Sequence, residues 1–170
     1  MLKKQKKVQI QKDWGLKVDA QIPIILVSTV DKHIQAILNE IVDGIASIGI
    51  QLIVIQPDGE KSDEFCYDWQ SKYPEAIKCI PLEKVDNDVF DMAIMEEATI
   101  EKLRELKEHK IVPIAERGKI KPFDPIEESG NGFLFKGGDS WSLFAALVRA
   151  AETYRFPYDW DNLVKRIDKV

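Results

Sequence analysis

Residues 22–30 read IPIILVSTV and residues 51–55 read QLIVI. Both runs are apolar without alternation and rich in β-branched side chains, the pattern of a strand covered on both faces. Between them Ile34, Ile37, Leu38, Ile41, Val42 and Ile45 recur at helical spacing. Asp31 stands where an N-cap belongs, and Gly49 closes the segment. A buried strand, an amphipathic helix and a second buried strand form a βαβ unit, which implies a parallel sheet.

The pattern continues outward. Pro57, Asp58 and Gly59 end the second strand, and Lys61 to Tyr73 reads as a helix with Phe65, Trp69 and Tyr73 on one stripe. Residues 76–80 (AIKCI), 90–95 (FDMAIM), 111–115 (IVPIA) and 132–135 (GFLF) read as further strands. A charged helix is expected from Glu97 to His109, with Ile100, Leu103 and Leu106 inward. A loop with Pro122, Pro125 and the turn signal Gly130-Asn131-Gly132 precedes the sixth strand. Asp139 or Ser140 caps a long helix to about Tyr154, and a last helix, Trp160 to Ile167, follows a break at Pro157. The expected fold is one α/β domain over residues 1–170. It is a doubly wound, mostly parallel, Rossmann-like sheet of about six strands with helices on both faces. Ligands of such sheets bind beyond the carboxyl ends of the strands. Here that edge is Ser28 to His33, Gln56 to Gly59, Met95 to Thr99 and Ala115 to Lys119.

Composition narrows the function classes. With 45% hydrophobic and 31% charged residues, the chain carries enough apolar side chain for a packed core. Its net charge of −5, without a basic half, argues against a nucleic-acid surface. No apolar stretch is long enough to cross a bilayer and no signal-peptide core follows the basic start, so a cytoplasmic location is expected. Lys3, Lys4, Lys6 and Lys7 read as a solvated chain end or first helix turn. Cys66 and Cys79 are the only cysteines; both are expected to be reduced, and no metal site or cofactor is expected. His33 and His109 read as structural, with the cationic form of His109 favoured at a helix C-terminus. Trp141, Phe144, Phe156, Tyr158 and Trp160 read as core and interdomain-type packing.

The segment Gly130-Asn131-Gly132-Phe133-Leu134-Phe135, with Asp139 and the helix Leu143 to Tyr154, resembles the tail of bacterial glycogen and starch synthases. That tail reads "G-T-G-F-L-F … D … L … A-L-x-R-A-L-x-x-Y". Residues 7–29 (KVQIQKDWGLKVDAQIPIILVST) and 49–80 are similar to the opening of the same enzymes' second domain, so the likeness covers nearly the whole chain and places its start at that opening. The resemblance implies the C-terminal half of a GT-B glycosyltransferase, the half that binds ADP-glucose or UDP-glucose, without the acceptor half.

The resemblance also assigns site positions. The family's phosphate-binding Arg after the first strand is Thr29 here, and Lys32 aligns with the family Lys across a shortened loop, followed by His33 in place of a glycine. A hydroxyl does not replace a bidentate phosphate ligand. Glu97 aligns with the Glu of the family loop "P-S-x-x-E-P-C-G-L"; alternatively Glu96 and Glu97 are acids of a helix first turn. Arg117, Gly118 and Lys119 take the place of "T-G-G-L-x-D-x-V". The two cations either compensate for the missing Arg or are solvated loop charges. Gly59 falls at the family's Gly-rich turn, though it equally serves to turn the chain. Lys32 and Glu97 are the catalytic candidates, and Thr29, Lys32, Gly59, Arg117, Gly118 and Lys119 the nucleotide-phosphate candidates. Together these imply a non-catalytic nucleotide-sugar-binding or regulatory derivative. The alternative is one subunit of a split glucosyltransferase, its partner protein supplying the N-terminal GT-B domain; a homo-oligomer is also open. No GxGxxG or P-loop motif supports a dinucleotide or ATP-hydrolysing role.

Overall fold

The computed structural model describes residues 2–27, 32–56 and 64–169. Its elements in chain order are α1 (Lys3–Asp13), β1 (Ile24–Val27), α2 (Lys32–Ser47), β2 (Gln51–Gln56), α3 (Glu64–Lys72), β3 (Ile77–Pro81), β4 (Met92–Ala98), α4 (Ile100–Glu108), β5 (Val112–Gly118), β6 (Phe133–Leu134), α5 (Ser140–Tyr154) and α6 (Pro157–Arg166). The six strands form one sheet in the order β3-β2-β1-β4-β5-β6, every neighbouring pair parallel. The order reverses between β1 and β4. Right-handed crossovers leaving that point in opposite directions put α2 and α3 on one face and α4 on the other.

Sheet and helices meet in one apolar core. Ile24, Ile25, Val27, Leu52, Ile53, Met92, Ala93, Ile94, Val112 and Ile114 have essentially no exposed surface, as the two continuous apolar runs require. Leu143, Ala146, Leu147 and Ala150 bury the stripe of α5, which packs beside α2. Gly44 is the contact point: a β-carbon there would lie 2.8 Å from the Phe144 ring. Asp139 caps α5 by accepting from the Ser142 amide at 3.0 Å.

Several boundaries differ from expectation. The fourth strand runs on to Ala98, so Glu96 and Glu97 end a strand and do not open a helix; Thr99 is the cap of α4 instead. Pro157 starts α6 in its first turn, where its missing N–H costs nothing. The aromatics divide. Phe144 and Trp160 pack inward, whereas Trp141, Phe156 and Tyr158 stay exposed. Cys66 and Cys79, expected reduced, form a disulfide across a Cα–Cα distance of 6.1 Å. The expectation rested on compartment alone. The fold lays α3 along β3 and brings the pair within bridging reach.

The basic amino terminus is the largest correction. α1 is mostly polar, with Ile10 packed against the core, and its buried side chains are Lys7 and Gln11. Lys7, 1% exposed, donates to Asp91 Oδ2 at 2.7 Å and to the Tyr154 hydroxyl at 2.9 Å. Asp91 also accepts from the Ile24 amide at 2.9 Å, so one carboxylate joins α1, β1, β4 and α5. Burial lowers the Lys7 ammonium against the pull of Asp91, and burial with the Asp91 charge raises the Tyr154 phenol. Lys3 donates to the carbonyls of Phe90, His109 and Lys110. Lys6 pairs with Asp88 at 2.6 Å, and His109 lies 2.8 Å from the same carboxylate, which these two partners hold down at about 2. Gln11 completes the edge by bonding Gln51 and the backbone of Asp19.

Removing one member of a buried ion pair leaves the other charged and dry. Lys7→Ala is therefore expected to lower the unfolding free energy by about 3–5 kcal/mol in urea denaturation. Lys4→Ala, on the exposed side of α1, is expected to change it by less than about 0.5 kcal/mol.

Candidate functional site

The carboxyl edge at the switch point is built by the ends of β4 and β5, the start of α2 and the turn before α5. Arg117 closes β5 opposite Glu97 in the β4–β5 register. Its Nη2 lies 2.7 Å from Glu96 Oε1 and 3.7 Å from Glu97 Oε2. The two acids raise the guanidinium's pKa further, Glu96 most of all through its hydrogen bond. Arg117 remains more than half exposed, and its guanidinium is paired at the surface with these two carboxylates.

Gly118 follows with φ +115°, and a β-carbon there would lie 2.3 Å from the Ala98 carbonyl oxygen. The next amide, Lys119, donates to that same oxygen at 2.8 Å. Only glycine lets β5 approach β4 this closely at its end. Lys119 lines a separate cavity with Lys121 and Arg166, which Arg117 does not line. The structure thus does not gather Arg117 and Lys119 around one point. Lys32 is exposed at the first position of α2. Thr29 and Gly59 lie outside the described residues.

A second cluster was not singled out from the sequence. Glu116, at the end of β5 and largely shielded, has its Oε2 3.4 Å from His33 Nε2. That oxygen has no hydrogen-bond partner within the described protein. Gly137 abuts the same carboxylate, since a β-carbon there would sit 2.2 Å from Glu116 Oε1, and Gly138 lies beside the His33 ring. Next to it the Ser140 hydroxyl donates to Glu40 at 2.6 Å. The signal was the pair Gly137-Gly138 directly before the Asp139 cap, a turn in which backbone is brought close to a charged group. Glu96 and Glu97 pair with Arg117, and Glu116 lies beside His33, so acids predominate at this edge where a diphosphate site is cationic. Among the described residues, no group of three or more His, Cys, Asp or Glu is placed to hold a metal ion, and no helix is long and apolar enough to cross a membrane.

Comparison with known proteins fits this geometry to a lineage. The chain is 27% identical to glycogen synthase of Pseudothermotoga lettingae, across 98% of its own length and 38% of the relative's. It is 28% identical to glycogen synthase of Fervidobacterium nodosum, across 96% and 36% respectively. It is homologous to the C-terminal region of glycogen synthases. Glycogen synthase 1 of a Synechocystis strain is 26% identical over 94% of this chain and 37% of the relative. This glycogen-synthase-like chain thus spans well under half the length of the curated relatives it matches. The catalytic domain of Arabidopsis thaliana starch synthase IV, solved bound to ADP and acarbose, superposes with a TM-score of 0.74 at 16% identity, over 99% of this chain and 39% of that one. That likeness confirms the fold: a six-stranded parallel α/β sheet of the GT-B type. No protein-family model matches the chain.

The Gly118 contact is specific enough to test. Gly118→Ala is expected to destabilise by about 2 kcal/mol or more, from left-handed strain and collision with the Ala98 backbone. Urea denaturation reads this directly, and the neighbouring Lys119→Ala serves as the near-neutral control.

Proposed function

We propose that this glycosyltransferase-type domain is a non-catalytic nucleotide-sugar-binding or regulatory derivative. It takes ADP-glucose or UDP-glucose weakly at the carboxyl edge of the sheet and does not transfer the sugar by itself. The observation that carries the reading is the capture of Arg117 by Glu96 and Glu97. Breaking a glycosyl–diphosphate bond requires cations aimed at the leaving oxygens. Here the aligned position of the family Arg is Thr29, and the cation at the end of β5 is already neutralised. Glu116, with Oε2 3.4 Å from His33 and Oε1 against Gly137, adds a carboxylate next to where phosphates would sit.

What remains suits binding better than catalysis. Lys32 and His33 open α2, and the Glu116 carboxylate beside His33 is an acceptor suited to a sugar or ribose hydroxyl. Lys32 then contacts phosphate electrostatically and Glu97 orients Arg117, so neither acts as acid or base. The proposed setting is cytoplasmic.

A second reading is supported by the parallel sheet with its switch point, the frame shared with a starch synthase domain. In it, a separate chain supplies the acceptor domain of a split glucosyltransferase. Transfer of labelled glucose from ADP-glucose and UDP-glucose to glycogen separates the two. The purified chain is expected to give none, alone or with an N-terminal glycogen synthase domain added in trans. Turnover only with the added domain would establish the split enzyme, and turnover by the chain alone would refute both.

A further inference from the structure

We propose that a second cavity is a binding site for a small phosphate-bearing molecule. It is walled by residues 118–121, residues 128–130 and the end of α6, and holds about 520 Å³. That volume is in the range of small-molecule sites. The proposal does not rest on the sheet-edge reading.

The cavity's charge is the first argument. Lys119, Lys121, Arg166 and Lys169 line it, against the single carboxylate of Glu128. Glu128 accepts from the Tyr158 hydroxyl at 3.4 Å. Asp168, the other nearby acid, is taken by Lys107. Elsewhere Lys6, Lys72, Lys107, Arg117 and Arg155 are each paired with a carboxylate. No ion pair involves any of the four cavity cations among the described residues. In a chain with a net charge of −5, convergence of unpaired cations in one concavity costs repulsion that an anion relieves.

The walls are also fixed in advance. Asn131, 1% exposed, donates to the carbonyls of Lys119 at 3.0 Å and Ile167 at 3.1 Å, and accepts from the Lys121 amide at 2.7 Å. One buried amide thereby holds the lysine-bearing strand extension against the end of α6. Gly130, at φ +89°, has no room for a side chain because Pro122 O would lie 2.2 Å from its β-carbon. Arg166 is oriented by its Nε donating to Gly130 O at 3.0 Å and by the Phe123 ring 6.0 Å away. Its Nη2 is enclosed and has no partner. An arginine and three lysines lining one concavity match the acceptor oxygens of a phosphate. Ser129 and Ile120 line the remainder and leave space for a small organic substituent.

The test is an amide-resolved NMR titration of the intact chain with inorganic phosphate and pyrophosphate at about 0.1 M salt, where the Debye length is about 10 Å. Saturable shifts are expected at Gly118, Lys121, Ser129, Gly130 and the Asn131 side chain. Lys121→Ala, at an exposed position, and Arg166→Gln are each expected to weaken binding about tenfold, the equivalent of one charge-assisted hydrogen bond. Arg117→Ala is expected to leave it unchanged. Shifts confined to Lys32, His33 and Glu116 would overturn this site while leaving the sheet-edge reading intact. Non-saturating shifts, or affinity indifferent to Lys121→Ala, would also overturn it.

Discussion

The ion pair between Lys7 and Asp91 sets the amino-terminal edge of the sheet, and the geometry above it depends on that edge. Asp91 immediately precedes β4, accepts the first amide of β1 and meets Tyr154 at the end of α5. It therefore joins the two strands between which the sheet reverses order. A buried pair of this kind adds little net stability over an apolar equivalent, but it admits one arrangement of the groups that satisfy it. The side chains at the opposite ends of β1 and β4 are positioned by a contact made beneath them.

At that opposite end the molecule departs from what a diphosphate site needs. The backbone framework of such a site is present: a parallel sheet with a switch point, a helix opening beside it, and a glycine packed against neighbouring backbone at 118. The charges differ. Arg117 faces two acids, and Glu116 holds a partly shielded carboxylate beside His33. Homology with glycogen synthases accounts for the framework, and the placement of the acids underlies the proposal that transfer chemistry is absent. Fold is inherited more readily than a set of charges at one edge.

The central fold was legible because its signals are apolar and local. The apolar runs at 22–30 and 51–55 contain β1 (Ile24–Val27) and most of β2, with 28–30 outside the described residues, and the spacing from Ile34 to Ile45 is the buried face of α2. What was missed is polar and long-range. α1 buries lysine and glutamine, so no hydrophobic period marks it, and its partners Asp91 and Tyr154 lie far along the chain. The extension of β4 through Glu96 and Glu97 likewise defies composition, since both acids are tolerated in a strand only because Arg117 lies across from them. Alignment could place Arg117 and Lys119 at one loop, but Arg117 pairs with Glu96 and Glu97 while Lys119, past the turn at Gly118, lines a cavity with Lys121 and Arg166. The disulfide depends on α3 lying against β3, which spacing alone does not reveal.

The central claim is that the carboxyl edge retains affinity for a nucleotide sugar while its arginine is held by acids. Calorimetric titration with ADP, ADP-glucose, UDP and UDP-glucose tests it most directly, comparing the natural chain with a Glu96→Gln, Glu97→Gln variant. Weak binding by the natural chain and binding about tenfold tighter or better in the variant are predicted, since freeing one guanidinium is worth about 1.5–3 kcal/mol to a phosphate. Absence of binding to all four ligands by both proteins would contradict the account.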